Sequence, residues 1–249
     1  MKEIAIVTGG SRGIGAATVR RLAENGYAVC VNYRQNEESA EQLVAEILDQ
    51  GGSACAVRAD IAQEAQVVAL FDECEHSLGV PNALINNAGI LMPQMPLLEM
   101  TAERVLKVLA TNVVGALVCC RESVKRMSTS RGGSGGSIVN VSSIAARTGS
   151  PGEYIDYAAS KGALDTLTIG LAKEVAQQGI RVNAVRPGFI YTDMHASGGE
   201  PDRIERVKQG VPMQRGGQAS EVAAAIAWLV SDESSYSTGT FIDVAGGRS

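Results

Sequence analysis

The sequence predicts an α/β protein in which a doubly wound parallel sheet of about seven strands is flanked by helices on both faces. Short apolar, β-branched runs alternate strictly with segments of helical hydrophobic period, a pattern typical of parallel sheets covered on both sides. A glycine-rich turn joins the first run to the first helical segment. The length of 249 residues suits one such unit, so we expect residues 1–249 to form a single domain.

The predicted strands are the apolar runs at 4–7, 28–33, 53–59, 83–86, 137–141, 181–185 and 240–244. The predicted helices lie between them, at about 14–25, 38–50, 63–78, 101–128, 157–178 and 218–231. Gly26 and Gly51 directly follow the first two helices, where glycine suits a C-terminal cap. The segment 189–213 has no clear period, and long irregular segments often form lids over active sites.

The composition excludes several classes of function. Hydrophobic residues make up 45% of the chain, and no apolar run reaches the roughly 18 to 20 residues that span a bilayer. The net charge of −5 provides no basic field for nucleic acid or anionic lipid. We therefore expect neither nucleic acid nor a membrane among its partners.

The cysteines and histidines favour a reducing compartment and no metal site. The five cysteines form no Cys-x-x-Cys pair and lie mostly in apolar segments, as expected of small core residues. His76 and His195 are too far apart for a convincing metal pair and are interpreted as solvated side chains. Met1, Lys2 and Glu3 run straight into a strand without the zones of a signal peptide, so a cytoplasmic location is expected.

The turn after the first strand reads Thr8-Gly9-Gly10-Ser11-Arg12-Gly13-Ile14-Gly15. Glycine lets a backbone reach unusual φ values and approach a ligand closely. The N–H groups and dipole of the helix that follows attract phosphates. The turn therefore predicts a pyrophosphate site for a dinucleotide, although plain turn chemistry is an alternative explanation of glycines at a strand end.

Tyr157 and Lys161 lie four residues apart near the start of the predicted helix 157–178, and so share one face. A nearby ammonium lowers the pKa of a tyrosine, which then serves as an acid or base for a carbonyl or alcohol. Ser142 and Ser143 end the fifth strand, at the edge where open α/β sheets bind ligands. Taken singly, these residues also fit an ordinary helix surface and the start of a loop.

Together these motifs resemble the classical short-chain dehydrogenase/reductase family over essentially the whole chain. The segments that carry the resemblance are the turn at 8–15, Asn86-Asn87-Ala88-Gly89, Asn112, Ser143, Tyr157 with Lys161, and Pro187-Gly188. The resemblance implies a Rossmann-like fold and a homotetramer with interfaces formed by the helices near 101–128 and 157–178 and by the C-terminal strand.

The resemblance also implies a role for each catalytic residue. Tyr157 would be the general acid/base, and Lys161 would lower its pKa and hold the nicotinamide ribose. Ser143 would orient the substrate oxygen, and Asn112 would maintain a water-linked proton relay. Thirteen residues separate Ser143 from Tyr157, one more than in many relatives, which is expected to reshape the substrate pocket. Ser143 is preferred to Ser142 because the family normally uses the second hydroxyl of such a pair.

The cofactor contacts implied by the resemblance extend along the chain. Beyond Tyr157 and Lys161, they are Gly9, Ser11, Arg12, Gly13, Ile14, Gly15, Arg34, Asp60, Asn87, Ala88, Gly89, Pro187, Gly188, Ile190 and Thr192. The second strand ends in Asn32-Tyr33-Arg34 and lacks the acid usual in NAD-binding members, while Arg34 and Arg12 could pair with a 2′-phosphate. NADP is favoured and NAD remains an alternative, as do solvated roles for Arg34 and Asp60.

The sequence thus predicts an oxidoreductase that transfers a hydride between NADP(H) and a carbonyl or secondary-alcohol substrate. The alternative is a nucleotide-sensing or scaffold protein that keeps the fold but has lost turnover. An altered tyrosine or lysine would indicate that alternative, and neither Tyr157 nor Lys161 is altered.

Overall fold

The computed structural model describes residues 3–249, apart from the side chain of His195, so the predictions for Met1, Lys2 and that side chain lie outside it. A sheet of 7 parallel strands has the order β3-β2-β1-β4-β5-β6-β7, which confirms the predicted fold class. The strands are β1 (Ile4–Val7), β2 (Ala28–Tyr33), β3 (Ser53–Arg58), β4 (Ala83–Asn86), β5 (Gly136–Val141), β6 (Ile180–Pro187) and β7 (Phe241–Val244).

The α-helices of the described residues are α1 (Gly13–Glu24), α2 (Glu37–Asp49), α3 (Glu64–Ser77), α4 (Ala102–Leu109), α5 (Ala116–Met127), α6 (Ala145–Thr148), α7 (Ile155–Val175), α8 (Met194–Ser197), α9 (Arg203–Val207) and α10 (Ala219–Val230). Short 3₁₀ turns occur at Leu97–Glu99, Thr129–Arg131, Ala176–Gln178, Lys208–Gly210 and Asp232–Ser234. Gly26 and Gly51 have φ values of +88° and +79°, which confirms that they cap the first two helices.

The continuous helix predicted at 101–128 is interrupted. A π-helical segment, Ala110–Gly115, joins α4 to α5 and carries Asn112. π-Helical turns are rare and often mark functional sites. The segment 189–213 also differs from the prediction, because it contains α8 and α9, which are too short to show a period.

The core lies on both faces of the sheet. Alternate strand residues point to opposite faces, so Val7 and Val31 pack with α1, α2 and α10, whereas Ile6 and Cys30 pack with α3, α5 and α7. Four of the five cysteines are buried and Cys55 is half-buried, as expected of core thiols. Burial raises the pKa of the Cys120 thiol to about 12, which keeps it protonated.

Two features of the described residues bear on partners. None of their helices combines the length and apolar character needed to cross a bilayer. No group of three or more His, Cys, Asp or Glu side chains among them is arranged to hold a metal ion.

Candidate active site

A cavity of about 410 Å³ opens beyond the carboxyl ends of β1, β2 and β4, where the strand order changes direction. Open α/β sheets bind their ligands at such a point. Many of the candidate cofactor-binding residues meet there. Those that line the cavity are Gly9, Ser11, Arg12, Gly13, Ile14, Arg34, Asp60, Asn87, Ala88, Gly89 and Thr192.

The glycine turn is folded tightly on itself. Gly9 and Gly13 have φ values of +60° and +54°, in the left-handed region that favours glycine. A Cβ atom on Gly15 would lie 2.3 Å from the carbonyl oxygen of Gly9, so a side chain is excluded there. Gly15 therefore packs beneath the turn rather than lining the cavity, while the other residues of the turn surround the N-terminus of α1.

The segment after β4 is tied to this turn by hydrogen bonds. The Asn87 amide nitrogen donates to the carbonyl oxygens of Thr8 at 2.9 Å and Gly9 at 3.0 Å. In return, the backbone N–H groups of Asn87 and Ala88 both donate to the Thr8 hydroxyl, each at 3.0 Å. These contacts hold the two loops in one arrangement and leave the cavity wall preformed.

Basic side chains lie at the end of the cavity formed by β2. The Arg34 guanidinium is about half exposed and lies 3.7 Å from the carboxylate of Asp60. Arg12 and Ser11 line the same cavity. Lys107 of α4 and Asn32 also line it, and neither is among the residues predicted from the sequence. Arg12 and Arg34 could therefore both bind an anionic group in the cavity. Arg34 is at the same time paired with Asp60.

Tyr157 and Lys161 lie on consecutive turns of α7, facing the end of β5. The Lys161 ammonium donates to the carbonyl oxygen of Val141 at 2.7 Å and lies 5.5 Å from the centre of the Tyr157 ring. A Cβ atom on Gly89 would lie only 3.5 Å from the Lys161 nitrogen and 3.4 Å from the Asn112 carbonyl oxygen. Lys161 and Asn112 therefore meet the cavity at Gly89.

The two serines at the end of β5 have different partners. The Ser142 hydroxyl is buried and donates to Asp165 at 2.6 Å and to the carbonyl oxygen of Lys161 at 3.2 Å. Ser143 instead hydrogen-bonds Tyr157 and accepts from the backbone N–H of Ala145 at 3.1 Å. The geometry thus places the second hydroxyl, not the first, against the tyrosine.

Asn112 is buried and fully engaged with its neighbours. Its amide nitrogen donates to the Ser160 hydroxyl at 3.0 Å and to the carbonyl oxygen of Ile90 at 3.1 Å. Its side-chain oxygen accepts from the backbone N–H of Ile90 at 2.8 Å. The side chain therefore connects the π-helical segment both to α7 and to the cavity wall beside Gly89.

The segment after β6 closes the remaining side of the site. Thr192 lines the cavity, whereas Ile190 is buried and forms a parallel bridge with Gly217. The carbonyl oxygen of Pro187 accepts from Ile144 at 3.0 Å, and Gly188 packs against the backbone of Ala245. Of these predicted contacts, only Thr192 lines the cavity, and the other residues build the backbone that supports it.

A family model described as "Enoyl-(Acyl carrier protein) reductase" matches residues 9–249, nearly the whole chain. The chain belongs to the short-chain dehydrogenase/reductase family. It is accordingly an oxidoreductase.

Individual relatives span the full length of the chain. It is 62% identical over 245 residues to "Uncharacterized oxidoreductase YgfF" of Escherichia coli strain K12, covering 98% of this chain and 99% of that one. It is 38% identical over 247 residues to the 3-oxoacyl-[acyl-carrier-protein] reductase FabG of Staphylococcus aureus, covering 99% and 98%. A blue fluorescent protein from a metagenomic library, solved in complex with NADPH, superposes with a TM-score of 0.90 at 34% identity, covering 99% and 98%.

The pKa values of the catalytic candidates differ from the expectation. Burial raises the pKa of Tyr157 to about 12, and the hydrogen bond with Ser143 offsets only part of that rise. Burial lowers the pKa of Lys161 to about 8, against the opposing charge of Asp165. The expected lowering of the Tyr157 pKa by Lys161 is therefore not seen in this structure, where loss of solvent outweighs the hydrogen bond with Ser143.

A set of contacts that the sequence did not predict joins residues 193–210, part of the segment 189–213 that is expected to form a lid, to the loop before α7. Arg203 is buried between Glu153 and Glu200, and its guanidinium lies 4.8 Å from the centre of the Tyr154 ring. The Tyr154 hydroxyl donates to the carbonyl oxygen of Gly198 at 3.3 Å. Glu153 and Tyr154, in the lengthened loop between Ser143 and Tyr157, thus contact the expected lid segment.

Proposed function

We propose that the chain transfers a hydride between NADP(H) and a carbonyl or secondary-alcohol substrate, with Tyr157 as the proton donor and acceptor. The observation that carries this proposal is the hydrogen bond between Tyr157 and Ser143, with the Lys161 ammonium beside the ring and next to Gly89, which lines the cavity. A phenol and a hydroxyl in contact provide two groups for one substrate oxygen. Residues 1–249 would act as one domain.

The cavity suits a dinucleotide. Its glycine turn surrounds a helix N-terminus, which favours a pyrophosphate, and a side chain on Gly13 or Gly89 would intrude on the space. The turn, together with Asn87, Ala88, Gly89 and Thr192, would hold the cofactor along the cavity, and Lys161 would reach the nicotinamide ribose. When bound, the nicotinamide supplies or accepts the hydride.

NADP is favoured over NAD at the β2 end of the cavity. Arg12 and Arg34 could both pair with a 2′-phosphate. An acidic side chain at the end of β2 would repel that phosphate, but β2 ends in Tyr33. The NADPH complex of the superposable relative supports the same choice. NAD is the alternative, because the Asp60 carboxylate beside Arg34 could accept from free ribose hydroxyls.

Tyr157, Ser143 and Asn112 have separate roles in the proposed reaction. In reduction, the Tyr157 hydroxyl donates its proton to the substrate oxygen, and in oxidation the tyrosinate takes the proton from the alcohol. The Ser143 hydroxyl orients that oxygen. Asn112 holds Ile90 and Ser160 in place at the end of the proposed proton relay. The high pKa of Tyr157 keeps it a phenol at neutral pH, which is the form that reduction requires.

A carbonyl screen tests the function. The purified protein and its Tyr157→Phe variant are mixed with NADPH and with acetoacetyl-coenzyme A, cyclohexanone or a 3-ketosteroid, and absorbance at the nicotinamide band is followed. We expect turnover of at least one probe by the wild-type protein alone. NADPH binding without turnover of any carbonyl, or of the matching alcohols with NADP, would instead favour the nucleotide-sensing alternative.

Assembly and location are part of the proposal. We expect a homotetramer, because α4, the π-helical segment, α5 and α7 leave large apolar side chains exposed on one chain. These are Leu106, Val114, Leu117 and Ile169. Exposed apolar patches of this kind mark protein interfaces. A cytoplasmic location fits the five free thiols.

A further inference from the structure

A buried ion pair joins α4 to α7 just before the catalytic tyrosine. The Arg104 side chain is only 7% exposed and that of Asp156 only 1% exposed. The Arg104 Nε donates to one carboxylate oxygen of Asp156 at 2.8 Å, and its Nη2 donates to the other at 3.5 Å. This two-point contact fixes the orientation of both side chains as well as their distance.

The carboxylate of Asp156 also holds the peptide that carries Tyr157. Its Oδ1 atom accepts from the backbone N–H of Tyr157 at 2.9 Å. The N–H groups of a first helical turn have no partner within the helix, so an acidic side chain there satisfies one of them and favours the helix dipole. The contact sets the backbone position from which the phenol projects.

Arg104 has a third contact, with the wall of the cavity. Its Nη1 donates to the carbonyl oxygen of Pro93 at 2.7 Å, next to Met92, which lines the cavity. Further along the same helical stretch, Asn112 donates to Ser160, whose hydroxyl donates to the carbonyl oxygen of Tyr157 at 2.6 Å. Arg104 and Asn112 therefore hold the backbone of Tyr157 from both sides. Arg104 acts through Asp156 on the Tyr157 N–H group, and Asn112 acts through Ser160 on the Tyr157 carbonyl oxygen.

Stability alone is a weak reason for such a pair. Taking two charges out of water costs free energy that their attraction often fails to recover, and apolar replacements of equal volume are often as stable. A catalytic group, in contrast, depends on position, since a displacement of about 1 Å can cost about 100-fold in rate. We infer that Arg104 and Asp156 are positioning residues that set the first turn of α7 so that Tyr157 meets the substrate oxygen. This inference rests on the proposed function.

The test separates positioning from folding by measuring kcat, KM and cofactor affinity on the full-length protein. Arg104→Met removes both the charge and the two-point contact with Asp156. Arg104→Lys keeps the charge but cannot make the two-point contact. The double variant Arg104→Met/Asp156→Asn removes both charges and keeps an amide oxygen for the Tyr157 N–H, so it also serves if the single variant fails to fold. Arg181→Met is the control. Arg181 is a half-buried arginine that lies away from the site and donates to the carbonyl oxygens of Leu229 and Val230.

With whichever carbonyl probe the wild type reduces best, we expect Arg104→Met and the double variant to lose about 10- to 100-fold in kcat. The Kd for NADPH, followed by its fluorescence, and the KM for the probe should stay within about threefold, and Arg104→Lys should recover part of kcat. Arg181→Met should lower the melting temperature without lowering kcat.

Two results would overturn the inference while the wild type turns over. One is a folded double variant with wild-type kcat, and the other is an Arg181→Met protein whose kcat falls as far as that of Arg104→Met. Absence of turnover in the wild type would instead count against the proposed function itself.

Discussion

The side-chain nitrogen of Lys161 lies 5.5 Å from the centre of the Tyr157 ring and donates its hydrogen bond to the carbonyl oxygen of Val141. Lys161 is buried and Tyr157 is half-buried, and loss of solvent moves each pKa towards the neutral form, to about 8 for Lys161 and about 12 for Tyr157. At pH 7 the lysine is still charged and the tyrosine is a phenol. The folded chain alone therefore holds the protonation states that carbonyl reduction requires.

Tyr157→Phe is expected to abolish turnover and to leave cofactor binding nearly intact, because the change removes only the hydroxyl that transfers the proton. Loss of a positioned acid or base costs about 10²–10⁴-fold in rate. Single-turnover rates and NADPH titrations on both proteins measure the two effects separately. Tyr154→Phe is the control, since that hydroxyl bonds the carbonyl oxygen of Gly198 rather than Ser143. Turnover near the wild-type rate in Tyr157→Phe would contradict the assignment.

Lys161→Met is expected to stabilise the cofactor-free protein near pH 7 while destroying its activity. The fall of the Lys161 pKa from 10.5 to about 8 means that burying the ammonium costs about 3 kcal/mol, since each pKa unit is about 1.4 kcal/mol. The lost hydrogen bond to Val141 offsets about 1 kcal/mol of the gain. Urea unfolding of both proteins measures the difference.

The difference in unfolding free energy between Lys161→Met and the wild type should change with pH in a definite direction. The unfolded chain binds more protons at Lys161 than the folded chain between about pH 8 and the ordinary lysine pKa of 10.5, so this residue makes the wild type more stable as pH rises through that window. The advantage of Lys161→Met should therefore shrink between pH 7 and pH 10. An advantage that grows with pH would show that burial does not lower the lysine pKa.

The sheet could be predicted from sequence because the strands of a parallel sheet are buried on both faces and form continuous apolar runs. The runs at β1, β2 and β4 match the structure residue for residue. The strand β6, Ile180–Pro187, extends beyond the predicted 181–185, where the charged Arg186 ends the apolar run. The π-helical segment could not be predicted, because it is a rare conformation that spans only Ala110–Gly115, with α-helix on either side of it.

The candidate site could be predicted where its residues are neighbours in sequence, as in the glycine turn and the Tyr157–Lys161 pair. The partnerships of Arg104 with Asp156 and of Arg203 with Glu153 join positions 52 and 50 residues apart. No local pattern pairs such charges, which look like ordinary solvated residues on amphipathic helices. The effect of burial on Tyr157 could not be predicted either, because desolvation depends on tertiary packing.

Leu117→Arg is expected to break the proposed tetramer. Leu117 is 45% exposed on one chain, and neighbouring helices carry Leu106 at 66% and Ile169 at 43% exposure. A charge placed in a buried apolar interface is costly unless it is paired. Light scattering should give the wild type the mass of four 26.0 kDa chains and the variant a smaller mass. Leu48→Arg, on α2, is the matched control and should leave the mass unchanged. A monomeric wild type would contradict the proposal.

Arg34→Asp is expected to move cofactor preference from NADP towards NAD. The substitution removes a guanidinium that could pair with the 2′-phosphate and places a second carboxylate beside Asp60, which lies 3.7 Å from Arg34 in the structure. Arg12 remains in the cavity and should retain some affinity for NADP. Loss of one charge-assisted hydrogen bond corresponds to a change of about 10- to 100-fold in the ratio of kcat/KM values for the two cofactors.

That ratio is measured at one ionic strength, because salt screens exposed charges, and again at higher salt, where the effect of the substitution should weaken. Arg131→Asp makes the same change of net charge in the exposed turn before β5 and should leave the ratio unaltered. The control is needed because net charge alone alters the encounter with an anionic cofactor. An NAD preference in the wild type, or equal ratios for wild type and Arg34→Asp, would mean that Arg34 is a solvated loop residue paired only with Asp60.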